Sequence, residues 1–566
     1  MAAAAVGVAL WTASGPSPRS ASAPSATVSV EESAAPTSPI FRDVTKEAGI
    51  TFVHQNGAAG EYRLQEIIGG GGGFLDYDGD GWPDIYLVQS HGGAGSTSQL
   101  YRNTGDGGFW DVTAPSGAGV SGYGMGCAAA DYDADGDVDL YVTRVGCDAL
   151  LANDRRANNG PSNNGQRAFR DVTETAGLCT PGWSTAAAFL DIDRDGDLDL
   201  YVARYVDNNV SPRPECPDPA GERDYCAPTN YPPTSDRLYR NDGSGRFVDV
   251  SVAAGIDAER GYGLGVLSSD FDGDGWVDIY VANDQSPAFL WRNQGDGTFK
   301  ETGLLAGAAL SGSGQAIAGM GTAAADFDRD ADLDLLVMNI RHSAHLFLRN
   351  ESGRFEDSSA SWGKMDWMVP YTGFGVGVFD QDLDGLLDVF IANGAVMRER
   401  SPRDPQQPYA EPNQFLRQTA EGVFVDESAL LGSAVRSPAV SRGLACADYD
   451  NDGDVDVLVT RNGATAQLLR NEQTSGGHWL IVEPIQTRPT LNTRVTVTSG
   501  ATRWIREVCP HQSYLSSHDP RVHFGLGRAV GRVRVTLGWP DGTRETWRDV
   551  GVDQVVRLQR GTGGQP

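Results

Sequence analysis

The sequence predicts an all-β protein, a seven-bladed β-propeller followed by a small β-sandwich or barrel-like domain. Three observations predict it. Seven nine-residue windows of the form DxDxDGxxD, or a near variant, begin at residues 76, 131, 191, 270, 326, 380 and 448. Each is followed by a short β-branched or aromatic run (IYLV, LYVT, LYVA, IYVA, LLVM, VFIA, VLVT), the mark of a strand. Glycine makes up 71 of 566 residues, well above the usual share of about 7%, and no collagen period accompanies it. The excess therefore reads as many tight turns between short strands.

Each unit opens on a small-residue apolar stretch, such as GMGCAAA or GLGVLSS, that leads into the Asp window and then the strand-like run. A stretch ending in Arg-Asn comes next, at 100–103, 238–241, 290–293, 346–350 and 468–471. A Phe-x-Asp strand follows at 109–113, 169–173, 247–251, 355–359 and 424–428. The unit is thus four antiparallel strands, repeated seven times. After LLRN the seventh unit lacks its Phe-x-Asp strand, whereas a spare copy, FRDVT (41–45), precedes the first window. An N-terminal strand that completes the last blade joins the ends of the ring and removes two open edges.

The chain has 45 Lys and Arg against 75 Asp and Glu, a net charge of −30. The windows hold 32 of the acids and two of the bases, so 43 acids face 43 bases elsewhere. This excludes an acidic tail, a disordered polyanion and a basic nucleic-acid surface. Four carboxylates at positions 1, 3, 5 and 9, a backbone carbonyl at 7 and Gly at 6 form an oxygen cage for a hard cation, and the flexible geometry favours Ca²⁺ over Mg²⁺. The expected ligands are Asp76, Asp78, Asp80 and Asp84; Asp131, Asp133, Asp135 and Asp139; Asp191, Asp193, Asp195 and Asp199; and Asp270, Asp272, Asp274 and Asp278. In the last three loops they are Asp326, Asp328, Asp330 and Asp334; Asp380, Asp382, Asp384 and Asp388; and Asp448, Asp450, Asp452 and Asp456. Up to seven ions are expected, one per loop. The fifth loop carries Ala331 in place of Gly, at a cost if that position is left-handed, and is expected to be the weakest site.

These loops resemble the FG-GAP/VCBS repeats of integrin-α-type propellers. The segment FRDVTKEAGITFVHQNGAAGEYRLQEIIGGGGGFLDYDGDG and the tail from WLIVEPIQ to VRVTLGWPDGTRETW are more similar still to the cartilage acidic protein family, whose C-terminal module is called ASPIC/UnbV. The resemblance implies an exported calcium-binding propeller over 41–475 and an ASPIC/UnbV β-domain over 476–562. The Asn-Gly-His typical after the sixth blade's strand is here Asn393-Gly394-Ala395.

Residues 1–40 are expected to be the remnant of an export signal and a flexible linker, because MAAAAVGVALWTASG is apolar but lacks a basic start. No segment approaches the ~20 apolar residues of a membrane-spanning helix. Secretion, a periplasmic site or the cell surface is the expected location. Cys216 and Cys226, which bracket CPDPAGERDYC, are expected to pair if the protein is exported, while the sequence leaves open whether any two of Cys127, Cys147 and Cys179 do.

By the geometry of the integrin-type propellers that the loops resemble, two insertions, 204–237 and 393–413, are expected on the face opposite the Asp loops. They are candidates for contact with a protein or glycan ligand, with Tyr225, Tyr231, Arg398 and Tyr409 as exposed candidates. The rival expectation is an enzyme (a lyase, a hydrolase or a natural-product tailoring or cyclising activity) with its site in the central channel near His54, Glu66 and His342. His342 and His345 form HxxH, a spacing that does not put both on one face of a strand.

Overall fold

The computed structural model describes residues 39–565 apart from 92, 94–95, 155–167, 364–368, 400–403, 473–475 and 529–530. The expected signal remnant and linker therefore lie outside the described residues, except for their last two. Among the described residues, seven four-stranded antiparallel units follow one another along the chain. The first is Gly72–Leu75, Asp84–Leu87, Gln99–Asn103 and Phe109–Asp111, in that spatial order. The second and third are additionally joined where Gly182 and Trp183 pair with Gly146 and Val145.

The innermost strand of every unit touches the innermost strand of the next, and Ser441–Ala447 of the last returns to Gly72–Leu75 of the first. The ring closes as the spare strand predicts: Phe41–Asp43 pairs with Gln467–Asn471, with Phe41 opposite Asn471. The apolar side chains of the strand-like runs fill the space between blades. Phe41, for example, is buried edge-on to Phe390, with ring centroids 5.8 Å apart.

The C-terminal module has two sheets. In one, His478–Ile485 lies between Val522–Gly527, antiparallel, and Gln554–Gln559, parallel. The other has the order Thr502–Glu507, Arg494–Ser499, Arg532–Gly538 and Arg544–Gly551. Both sheets contribute to one apolar core that includes Leu480, Val497, Trp504, Phe524 and Val535 and runs on into the second and third blades.

The central channel is filled by this module. The segment joining its sheets enters the ring, and residues 513–517 hydrogen-bond to the inner strands of several blades. Cys127 N–H donates to Leu515 O at 3.3 Å, Phe74 N–H to Ser517 O at 2.9 Å, and Ser513 N–H to Thr322 O at 2.7 Å. The Tyr514 hydroxyl donates to Ile68 O at 2.8 Å, and its ring stands edge-on to Phe374 at 4.8 Å. The glycines of the first strands have their reason here. A Cβ on Gly71 would lie 1.9 Å from Leu515 O, and one on Gly126 would lie 2.8 Å from the same atom. GGGGG (69–73) is thus a close-approach surface.

Candidate metal centres

Each Asp window is the tight connection between the first and second strands of a blade. Its sixth residue is left-handed in all seven loops, with φ from 87° to 99°, and Ala331 is forced to the same value, 88°. Residue 4 is left-handed too, which the sequence did not reveal: Ala134, Arg194, Arg329, Leu383 and Asn451 occupy it without glycine's freedom.

The carboxylates fold the loop around themselves. Position 1 accepts the N–H of residue 6, as Asp131 does from Gly136 at 2.9 Å and Asp380 from Gly385 at 2.6 Å. Position 5 accepts the N–H of residue 7, as Asp80 does from Trp82 at 3.0 Å. In the first four loops, oxygens from positions 1, 3 and 9 lie within 4.8 Å of one another; in the fifth the corresponding set is Asp326, Asp328 and Asp330.

Position 9 has a second duty that sequence reasoning missed. Asp84 accepts Tyr77 N–H at 3.0 Å on one oxygen and Asn103 N–H at 2.8 Å on the other. The same pair of bonds recurs at Asp139, Asp199, Asp278, Asp334, Asp388 and Asp456. At Asp84 each oxygen keeps a lone pair for a cation, whereas in the fourth loop Asp278 Oδ2 also accepts from Arg292.

The Arg-Asn mark is explained by the same loops. Asn103 donates from its amide to Pro83 O at 3.0 Å in its own loop and to Tyr449 O at 2.8 Å in the seventh. Asn350 does so to Leu333 O at 3.1 Å and Phe271 O at 2.9 Å. Asn153 and Gln418 take this place in the second and sixth blades, where the motif lacks its usual spelling. Every loop is thereby stapled to the one before it, and Asn471 to Gln381 O completes the circle. The arginine of the mark often lies on the position 3 carboxylate: Arg102 is 2.6 Å from Asp78 and Arg292 is 3.2 Å from Asp272.

The donor set fits a hard cation. Asp131 Oδ1, Asp191 Oδ1, Asp270 Oδ1 and Asp450 Oδ1 are buried without a hydrogen-bond partner, an expensive arrangement for an oxygen carrying charge. Burial pushes the position 1 carboxyls up, Asp131 to about 7 and both Asp380 and Asp448 to about 8. A cation bound among these oxygens supplies the charge that protons otherwise supply.

The other candidates are placed differently from expectation. Tyr225 and Tyr231 are buried, not exposed. The first insertion folds back as a hairpin, Cys216–Pro217 against Arg223–Asp224, closed by a Cys216–Cys226 disulfide, and packs its tyrosines inward. Tyr225 stands edge-on to Tyr62 at 5.3 Å and to Tyr409 at 5.5 Å. Arg398 and Tyr409 are half-buried in the same cluster. The Arg398 guanidinium lies 5.1 Å over Tyr62 and donates to the Tyr409 hydroxyl at 3.1 Å. The two insertions thus clasp each other on the face opposite the Asp loops.

The histidines do not form a common centre around an open channel. His342 is exposed, with Glu399 at 3.6 Å, whereas His345 is buried and accepts Asn339 N–H at 3.0 Å. His54 is buried between Ser90 Oγ at 2.9 Å and Gly463 N–H at 3.1 Å, and burial lowers it to about 3. Glu66, also buried and raised by burial, accepts Asn462 through its backbone carbonyl at 3.0 Å. The channel these groups were expected to serve holds residues 513–517 instead. A second disulfide joins Cys147 and Cys179.

The FG-GAP-like repeat family model matches residues 76–142, 270–337 and 326–391, and the ASPIC and UnbV model matches 484–565. Cartilage acidic protein 1 of Mus musculus is 28% identical over 450 residues, which is 74% of this chain and 62% of that protein. The Homo sapiens protein of the same name is 27% identical over 446 residues, 74% of this chain and 60% of that one. The chain is a homologue of the cartilage acidic proteins. It spans about three fifths of the length of these curated relatives. Among solved structures, BBS1N in complex with ARL6DN aligns with a TM-score of 0.40 at 10% identity, over 77% of this chain and 99% of that one, too remote to bear on function. No helix among the described residues is long and apolar enough to cross a membrane.

Proposed function

We propose that this cartilage acidic protein homologue is an exported propeller whose Asp loops each hold one Ca²⁺ and whose opposite face binds a protein or glycan ligand. The observation that carries the metal reading is the set of buried, unpartnered oxygens on Asp131, Asp191, Asp270 and Asp450, each in a loop of convergent carboxylates. Two disulfides support an oxidising location. The ligand reading follows from what is left open. The module covers the Asp-loop side and fills the channel, so the free surface is the face that carries the two clasped insertions.

Thermal unfolding with excess EDTA, against the calcium-loaded protein, tests the metal reading. A loss of several degrees or more is expected, because a ligand bound only to the native state adds about 2.7 kcal/mol per site at a hundredfold excess over Kd. An unchanged melt overturns it. For the ligand, binding to arrayed glycans and matrix proteins is expected to fall when Arg213 and Arg223, on the first insertion, are both changed to Glu. Binding that is retained moves the site elsewhere.

A further inference from the structure

The Asp loops serve a second set of contacts that no cation requires. In five of the seven, the carbonyl of the left-handed sixth residue accepts a hydrogen bond from outside its own loop. Gly385 O takes Trp504 Nε1 at 3.2 Å, Gly453 O takes His523 Nε2 at 2.8 Å, and Ala331 O takes Arg494. Gly81 O takes Asn451 Nδ2 at 3.2 Å, and Gly275 O takes Arg194, both from the preceding blade's loop. Trp504, His523 and Arg494 belong to the C-terminal module. Arg521 adds a bond to Asp448 O at 2.9 Å.

These donors meet backbone carbonyls, not carboxylates. Arg521 already has its own carboxylate, Asp519, at 2.7 Å within the module. The module is therefore matched to the shape of the closed loop, while its Arg506 and Arg521 also lie in the field of the Asp326, Asp380 and Asp448 carboxyls. That shape depends on the carboxylates being drawn together. Two like charges 4 Å apart at a protein surface repel by about 4 kcal/mol, and each loop concentrates at least four carboxyls in nine residues, which carry that repulsion as the protons held without a cation are released. An open loop turns its sixth carbonyl away, and several donors of the module lose their acceptors at once. The same module carries residues 513–517 into the channel.

We infer that the C-terminal module docks on the ring in a cation-dependent way: loops closed by Ca²⁺ hold it and its channel-filling segment in place, and removal of the ion frees both. This inference rests on the calcium reading of the loops. It adds a regulated state, in which the inner strands give up their partners at Phe74, Cys127 and Thr322 and the channel opens.

The test is hydrogen–deuterium exchange on the full chain, in calcium and in EGTA, beside calorimetric calcium binding on the same preparation. Chelation is expected to speed exchange across 509–519 and at Phe74 and Cys127 at least tenfold. The ladder between Asp278–Asn283 and Phe289–Asn293 serves as the internal control and is expected to keep its protection. Reciprocity gives a second readout. Arg494→Met and, separately, His523→Gln are expected to raise the midpoint of calcium binding about fivefold or more, since coupling acts equally in both directions. Calcium binding with unchanged exchange across 509–519 and unchanged midpoints in both variants overturns the inference and leaves the metal reading standing. If no calcium binds, both fall.

Discussion

The hydroxyl of Tyr409 donates to Oδ1 of Asp224 at 2.5 Å, across 185 residues of sequence. Asp224 is buried and also accepts the backbone N–H of Arg398 at 2.7 Å, so one carboxylate holds the second insertion at two points. Two loops from blades far apart in the ring are in this way one structure. Burial and the bond to Asp224 both push the Tyr409 hydroxyl up, which keeps its proton in place for donation.

The clasp is expected to be measurable as a coupling. Tyr409→Phe should cost about 1.5–3 kcal/mol, the range for a hydrogen bond to a charged group. Asp224→Asn in the same background should add less than it does alone. Additive losses in chemical denaturation would show that the two residues do not act together.

Ala331 occupies a left-handed position that glycine fills in the six other loops. Ala331→Gly is expected to stabilise the protein by about 1 kcal/mol, the lower end of the left-handed cost, and to tighten the fifth site. A lower melting temperature for that variant would count against backbone strain at this residue.

The amide staples predict an effect that crosses blades. Asn350→Ala removes the partners of Leu333 O and Phe271 O, both at buried positions, and is expected to cost about 2–4 kcal/mol. Because one of the two carbonyls belongs to the fourth loop, calcium titration should report weakening of the fourth and fifth sites together. Loss at the fifth site alone would assign the staple a purely local role.

The raised carboxyls set a pH dependence. Without a cation the folded loops hold protons that the unfolded chain has already released, since Asp131 titrates at about 7 and Asp448 at about 8. The contribution of these carboxyls to the cation-free fold is therefore fully present below the ordinary carboxylate range and is lost as pH rises toward about 8. Calcium displaces the same protons, so its affinity should climb over that window and level off above it. Calorimetry in buffers of different ionisation enthalpy should record more proton release at pH 6 than at pH 9; equal release at both would contradict the assignment.

Much of the architecture was legible because repetition encodes it locally. The seven windows set the loops, the runs after them set the second strands, and FRDVT at 41–45 named the strand that closes the ring. The site was only partly legible. Aspartates at positions 1, 3 and 5 announce a cage, but the latch role of position 9 depends on an N–H from Asn103 or its counterparts in another strand. The Arg-Asn mark was visible as a pattern, and its purpose was not, since the carbonyl it reaches in the neighbouring loop has no signature in sequence. Tyr225 and Tyr231 looked like exposed loop aromatics because composition says nothing about a hairpin folding back over the ring.

What the sequence determined by itself is whatever a blade must repeat: strand period, turn glycines, and carboxylates spaced to converge within one loop. These are demands within some sixty residues, and they recur often enough to be read. Only the tertiary structure decided that the C-terminal module fills the channel and that the insertions lock over the other side. Those contacts join residues hundreds of positions apart, each made once. They also rest on groups that every residue shares, such as the Leu515 carbonyl against the bare backbone of Gly71 and Gly126.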